Sequence, residues 1–152
     1  MVELSRTKHI VVADRFPFKY LTDYYNLGYT AAFSGCDEDT DADLEWTARK
    51  IAAMRIFDDA DGVMNLSVRD VDGEVLAVSQ FTLYASTVKG NRPSYIKAAK
   101  PDISIPLYEQ FCTEMEIAIN KPIKRGVFGA DMKVELLNDG PVTIFIDSKN
   151  KE

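Results

Sequence analysis

His9, Cys36 and Cys112 are the only imidazole and the only thiols in 152 residues, and no two of them are close in the chain. That scarcity argues against a multi-histidine metal centre and a C-x-x-C zinc or redox pair, and it leaves one imidazole for any Ser-His-Asp or Cys-His arrangement. The two cysteines read as free, buried thiols. Long apolar runs are missing as well. No stretch approaches the roughly 18 uninterrupted apolar residues of a membrane span, and Glu3, Arg6, Lys8 and His9 stand where a secretory signal would place its apolar core. Cations are in deficit too: the net charge of -6 argues against non-specific coating of nucleic acid, whose affinity comes from lysine and arginine neutralising phosphates. These absences predict a soluble, cytoplasmic protein with no cofactor, no bound metal, and neither membrane nor DNA as partner.

What remains is enough for a single domain spanning residues 1-152. A chain that is 46% hydrophobic and 11% aromatic has the apolar material for one real core. Its charge is unevenly placed. Residues 37-61 hold nine acids against Arg49, Lys50 and Arg55, whereas residues 85-101 hold Lys89, Arg92, Lys97 and Lys100 and no acid. A local phosphate-binding patch on an acidic protein is one reading of that segment, and an ordinary solvated loop is the other.

Periodicity gives a coarse map. His9 to Val12 starts a strand, and Tyr29 to Phe33 forms a short apolar one. From Thr40, Leu44, Ala48, Ile51 and Met54 recur at helical spacing, with Asp41, Asp43 and Glu45 where the helix dipole favours acids, predicting a helix of about 15 residues. Ile56 to Tyr84 returns to strand character, with Asp61-Gly62 and Asp72-Gly73 as hairpin loops. Within it, strict alternation through Tyr84 puts Gln80 and Thr82 on one face. A second helix is predicted over Pro106 to Ile119, with Ser104 near the cap and Pro106 in the first turn. Strands at Asp131 to Leu137 and Val142 to Asp147 close the chain, joined by the turn residues Asn138-Asp139-Gly140-Pro141. Mostly strands with two helices means α+β, with antiparallel or mixed sheets.

Two of these segments are long and specific. Ser79-Gln80-Phe81-Thr82-Leu83-Tyr84 and Asn138-Asp139-Gly140-Pro141-Val142-Thr143, in that order, together with Lys89 to Tyr95 (KGNRPSY), Gly126 to Met132 (GVFGADM) and Ala48 to Phe57 (ARKIAAMRIF), resemble the D-aminoacyl-tRNA deacylase family. The resemblance covers roughly Gly28 to the C-terminus. Residues 1-27 depart from the family, which starts on a strand ending in Gln-Arg-Val. Arg15 is the better candidate for that arginine, which supports the Gly-Pro loop in relatives, and Arg6 the weaker.

The resemblance implies a three-layer β/β/α domain, working as a homodimer, that hydrolyses the ester of D-aminoacyl-tRNA and of misacylated glycyl-tRNA. It implies that Ser79, Gln80, Phe81 and Thr82 form the catalytic segment, with backbone groups of Phe81 and Thr82 facing the ester while the tRNA 2'-hydroxyl assists. Such chemistry suits a chain poor in histidine, because an activated ester needs placement and oxyanion stabilisation more than a strong base. Thr82 as nucleophile is the alternative, and it would need an activating base that the sequence does not show. Gly140 and Pro141 are implied to share a cis peptide bond and to enter the partner subunit's site, rejecting L-amino acids by steric exclusion. Ala130 and Met132 match positions near the pocket, and Lys89 and Arg92 are candidates to meet acceptor-stem phosphates, with Lys124 and Arg125 behind them. A deacylase of shifted selectivity, or a tRNA-binding protein of this fold without catalysis, are the other readings.

Overall fold

The computed structural model describes residues 12–18, 26–132 and 142–151. Its sheet begins with β1 (Val12–Phe18) and β2 (Asn26–Phe33), which run antiparallel with Val12 opposite Ala32 and Phe18 opposite Asn26. Both differ from the sequence expectation. β1 runs through Arg15 and the aromatic residues that follow it, and β2 starts three residues earlier than Tyr29. A paired neighbour supplies ladder hydrogen bonds that local pattern does not reveal.

The chain leaves β2 and enters α1 (Asp41–Ala53) through a capping box: Thr40 N–H donates to the Asp43 carboxylate at 3.0 Å, and Asp43 N–H reaches back to Thr40 Oγ1 at 3.4 Å. Leu44, Ala48 and Ile51 are buried along one stripe of the helix, as the periodicity predicts, with Ala52 buried beside them, while Met54, expected on the same stripe, is the C-cap residue just past the helix and only partly buried. A small hairpin follows, β3 (Phe57–Asp58) against β4 (Met64–Leu66), turning at Asp61-Gly62. Asp72-Gly73, in contrast, is no hairpin loop. The strand after it, β5 (Glu74–Ser79), leaves the hairpin altogether and lies parallel to β2, with Ala77 opposite Ala31 and Ser79 opposite Phe33.

β5 also ends sooner than its alternating pattern suggests. Gln80 N–H makes a last hydrogen bond to Phe33 O at 2.7 Å, and Phe81–Tyr84 then winds into a 3-10 helix. β2 stops at Phe33, so beyond Gln80 that side offers no strand to continue the ladder and the backbone satisfies itself locally. The expectation that Gln80 and Thr82 share a strand face is corrected accordingly.

The second helix, α2 (Pro101–Ile119), begins five residues before the predicted start. Pro101 takes the first helical position, where no N–H is needed, and Pro106 sits inside the helix rather than in its first turn. Asn120, at φ 57°, closes it in the left-handed conformation. A strand that the sequence reading did not anticipate, β6 (Lys124–Arg125), then pairs parallel with β5, and β7 (Thr143–Ile144) pairs antiparallel with β1. The five-stranded sheet therefore has the mixed order β6-β5-β2-β1-β7, and the hairpin β3-β4 forms a second sheet. Residues 133–137 of the predicted strand from Asp131 lie outside the described residues, and Asp131 and Met132 are not in a strand.

The helices pack together on the sheet face that carries Ala31, Phe33, Val75 and Ala77. Phe33 stacks on Phe111 with ring centroids 4.6 Å apart and planes 12° from parallel. The Tyr108 hydroxyl lies 3.0 Å from Ala77 O and 3.1 Å from Gly126 O, so α2 is tied to β5 and to the segment leaving β6. Cys36 and Cys112 are free and buried, and burial pushes each thiol up to about 11. The α+β class with mixed sheets and two main helices is the one the sequence predicts.

Candidate functional site

β2 and β5 are parallel neighbours that end level with one another, Phe33 beside Ser79. The crevice outside the C-terminal ends of such strands is where α/β arrangements hold ligands, because the chain must turn away there and leaves backbone groups uncovered. A pocket of about 310 Å³ opens at that place. Its floor comes from Phe33, Ser34 and Gly35 leaving β2 and from Val78, Ser79, Gln80 and Phe81 leaving β5. Ala98, Ala99 and Ser104, on the approach to α2 and in its first turns, form a second wall. Residues 128–132 form the third.

Three of the four residues of the implied catalytic segment, Ser79, Gln80 and Phe81, thus line one cavity together with Ala130 and Met132, which stand some fifty residues further on. Thr82 is not in the lining. Its hydroxyl accepts a short hydrogen bond from the Gln80 side-chain amide. The turn from strand to 3-10 helix leaves the N–H groups of Phe81 and Thr82 without an acceptor among the described residues, as the leading donors of a helix are by construction. Phe81 itself is 57% exposed, its ring at the mouth of the pocket in edge-to-face contact with Tyr95 at 5.1 Å and 83°. Met132 is held against Gly126: a Cβ built on that glycine would stand 2.8 Å from Met132 Sδ.

The pocket is nearly neutral. Asp131 is the one charged side chain in its lining among the described residues. Positive charge lies outside it, on a loop that two hydrogen bonds between Ser86 and Ser94 (2.8 and 2.9 Å) project into solvent, with Gly90 at φ +65° near its tip. Lys89 and Arg92 are exposed on that loop, as are Lys97 and Lys100 after it, and none of the four has an ion-pair partner among the described residues. Arg125, by comparison, is engaged by Glu109 at 3.1 Å and Glu116 at 2.9 Å.

Gly140 and Pro141 lie outside the described residues, as does Arg6, and for Arg15 only the backbone is described. That backbone is informative. Ala13 pairs with Ile144 and Asp14 with Thr143, so Arg15 stands one step beyond this pairing, toward the end of β7 that follows Pro141. Sequence reasoning missed Ser34, Ala98, Ala99 and Ser104, because they belong to no motif and reach the pocket only through the packing of α2 against the sheet. Among the described residues there is no group of three or more His, Cys, Asp or Glu placed to hold a metal, and no helix long and apolar enough to cross a membrane.

Fold and site together define an α+β protein with an open, nearly neutral pocket beside an exposed basic loop. Residues 25–147 match the family model described as D-Tyr-tRNA(Tyr) deacylase, and the chain belongs to that family. Among curated relatives it is similar to D-aminoacyl-tRNA deacylase of Parabacteroides distasonis, 65% identical over 116 residues that make up 76% of this chain and 77% of that one. It is likewise 66% identical over 117 residues to D-aminoacyl-tRNA deacylase of Bacteroides fragilis, covering 76% and 78%. Of solved structures, "c-Myc DNA Unwinding Element Binding Protein" is 32% identical with a TM-score of 0.74, covering 93% of this chain and 94% of its own. A probable eukaryotic D-amino acid tRNA deacylase shares the fold at 17% identity, with a TM-score of 0.70 and coverage of 91% and 97%. The family expected from the two long motifs is the family found.

Proposed function

We propose that this protein is an editing hydrolase that cleaves the ester between a D-amino acid, or misattached glycine, and the end of a tRNA. The observation that carries the reading is the convergence of Ser79, Gln80 and Phe81 with Ala130 and Met132 on a single pocket, in a chain of the deacylase family.

The chemistry follows from what that pocket offers. An aminoacyl ester is already activated, so catalysis needs the carbonyl held still and its developing negative charge met by fixed donors. The N–H groups of Phe81 and Thr82, at the start of the 3-10 helix, are such donors. Water, assisted by the 2'-hydroxyl of the terminal adenosine, attacks the carbonyl carbon; the ester C–O bond breaks and the 3'-oxygen leaves protonated. The Thr82 hydroxyl accepts from the Gln80 amide, which favours a structural role for it over that of nucleophile. Ser79 and Gln80 shape the wall beside the ester. No metal and no cofactor take part in this scheme.

Selectivity and assembly rest on the resemblance. Gly140 and Pro141, carried into the partner subunit's pocket, would occupy the space of an L side chain and leave room for D-amino acids and glycine, which requires a twofold dimer with two equivalent sites. Lys89 and Arg92 would meet acceptor-stem phosphates, in keeping with their exposure beside the pocket. A cytoplasmic location belongs to the same proposal, since that is where aminoacyl-tRNA is used.

The deciding experiment is hydrolysis of D-tyrosyl-, L-tyrosyl- and glycyl-tRNA by purified protein, with and without a chelator. Rapid loss of the D and glycyl esters with the L ester spared, indifferent to chelator, is expected. Background decay of all three would refute the enzyme and leave a tRNA-binding protein of this fold.

A further inference from the structure

Tyr108 is 1% exposed and is not part of the pocket lining, yet it reaches from α2 to β2, to β5 and to the segment after β6, all of which carry pocket residues. Ser104, one turn before it on the same face of α2, lies on the pocket wall. The Tyr108 ring packs against Phe33 of the floor, with centroids 6.4 Å apart, and against Phe128 of the third wall at 6.0 Å. Its hydroxyl stands 3.0 Å from Ala77 O, just upstream of Ser79, and 3.1 Å from Gly126 O, just upstream of Phe128.

That hydroxyl has a single proton and two carbonyls in reach, so the bond is shared between them. The two carbonyls are not equally placed. Ala77 O also accepts the Gly126 N–H at 2.8 Å, whereas Gly126 O has no other donor among the described residues. Leaving such a carbonyl unpaired inside the fold is costly, so the proton is held mainly by Gly126 O. Burial pushes the Tyr108 hydroxyl above the ordinary tyrosine range, which keeps it a donor.

Gly126 is where the third wall begins. The strand before it, β6, is two residues long; after it Val127 is exposed, Gly129 takes φ +72°, and Ala130 N–H closes a turn on Val127 O at 3.1 Å. The N–H of Gly126 on Ala77 and its carbonyl under Tyr108 therefore fix where residues 128–132 stand relative to the end of β5, from which Phe81 and Thr82 continue.

We infer that Tyr108 is a positioning residue for the reaction: through Gly126 O it sets the gap between the amides that follow β5 and the wall of Ala130 and Met132. The inference rests on the editing reading for its substrate. Loss of the hydroxyl leaves every pocket-lining group in the chain and displaces one wall, and a displacement of about 1 Å at a reacting centre costs on the order of a hundredfold in rate.

Tyr108→Phe keeps the ring and its contacts with Phe33 and Phe128. In the full chain its steady-state kcat for D-tyrosyl-tRNA should fall roughly ten- to a hundredfold. KM should change little, because the tRNA is gripped by the loop outside the pocket. Installing para-aminophenylalanine at position 108, which restores a donor at that point, should recover most of kcat. Asp43→Asn loosens the fold away from the pocket lining and should leave kcat unchanged. Melting temperatures establish that each variant is folded. Should Tyr108→Phe not fold, para-fluorophenylalanine fills the space of the hydroxyl without its proton. Hydrogen exchange followed by NMR needs no activity: the Gly126 and Ala130 amides should exchange roughly tenfold faster or more in Tyr108→Phe, beyond any change in α1. An unchanged kcat in the folded variant, an equal loss in Asp43→Asn, a change confined to KM, or unchanged exchange at both amides would each overturn the inference. Wild-type protein that hydrolyses no D-tyrosyl-tRNA, while exchange responds as expected, would sink the editing reading and leave the hold of Tyr108 on the wall standing.

Discussion

Gln80 and Thr82 show how much a single hydrogen bond decides at the residue scale. The Gln80 amide donates to the Thr82 hydroxyl, so that oxygen serves to brace the turn that aims the Phe81 and Thr82 amides. Thr82→Val keeps the shape and removes the acceptor. Single-turnover hydrolysis of D-tyrosyl-tRNA by this variant should slow by no more than about tenfold, the scale of one neutral hydrogen bond. A loss of roughly a millionfold, as when a hydrolase forfeits its nucleophile, would return Thr82 to the centre of the chemistry. Gly126 offers a second test at this scale. Its missing side chain leaves room for Met132, and the clash that an added Cβ would make is with the far part of a flexible side chain. Gly126→Ala should therefore push Met132 into the pocket at little cost in stability. In proportion, KM should rise more for D-tyrosyl-tRNA than for D-alanyl-tRNA; an equal effect on the two would mean that Met132 does not bound the amino-acid side chain.

The elements are held by ties that reach far along the chain, and α1 shows the sign of one of them. Asp43 closes the capping box with Thr40 and also takes a short salt bridge from Lys149, fastening the helix start to the C-terminal segment. Burial by itself raises the pKa of a carboxyl. The Lys149 ammonium and the Thr40 hydrogen bonds more than offset it and hold Asp43 well below the usual carboxylate range. A folded-state pKa lowered in this way contributes stability above the unfolded value of about 3.9, and the contribution fades as pH falls from there toward the folded pKa. Asp43→Asn should cost about 1 kcal/mol at pH 7, a fall in Tm of about 2–4 °C, and the gap to wild type should narrow below about pH 4. A gap of constant size across thermal melts from pH 7 to pH 3 would show that the carboxylate's charge contributes nothing.

On the scale of the whole molecule the charges are sorted. The chain is acidic overall, yet four of its exposed basic residues, Lys89, Arg92, Lys97 and Lys100, lie within residues 85–101, next to a pocket that is nearly neutral. Lys89→Glu with Arg92→Glu should weaken tRNA binding and flatten the dependence of log K on log salt, by about one unit for each phosphate no longer neutralised, as read from filter binding at several salt concentrations. Unchanged affinity and slope would remove the loop from the interface. Sedimentation of the wild type tests the proposed dimer, without which the Gly140-Pro141 loop has no second pocket to enter.

Much of this is written in local sequence. The α1 stripe of Leu44, Ala48 and Ile51 with its Thr40 cap, the Asp61-Gly62 hairpin, the two buried thiols and the α+β class all follow from short-range pattern, because periodicity and caps act within a turn or two of the residue that bears them. The motifs likewise carry the family. Other features depend on partners distant in sequence. Alternation through Tyr84 reads as one strand, but β2 ends at Phe33 and the ladder ends with it, so Phe81–Tyr84 turns into a 3-10 helix whose leading amides have no acceptor among the described residues. The parallel pairing of β5 with β2, the strand β6, and the arrival of Ser34 and Ser104 on one wall were settled by the docking of α2 on the sheet, through the Phe33–Phe111 stack and the Tyr108 hydroxyl. Sequence pattern determined the two helices, the hairpin and the family; tertiary packing, which satisfies backbone groups across long loops, decided where the elements stop, which strands pair and what they enclose.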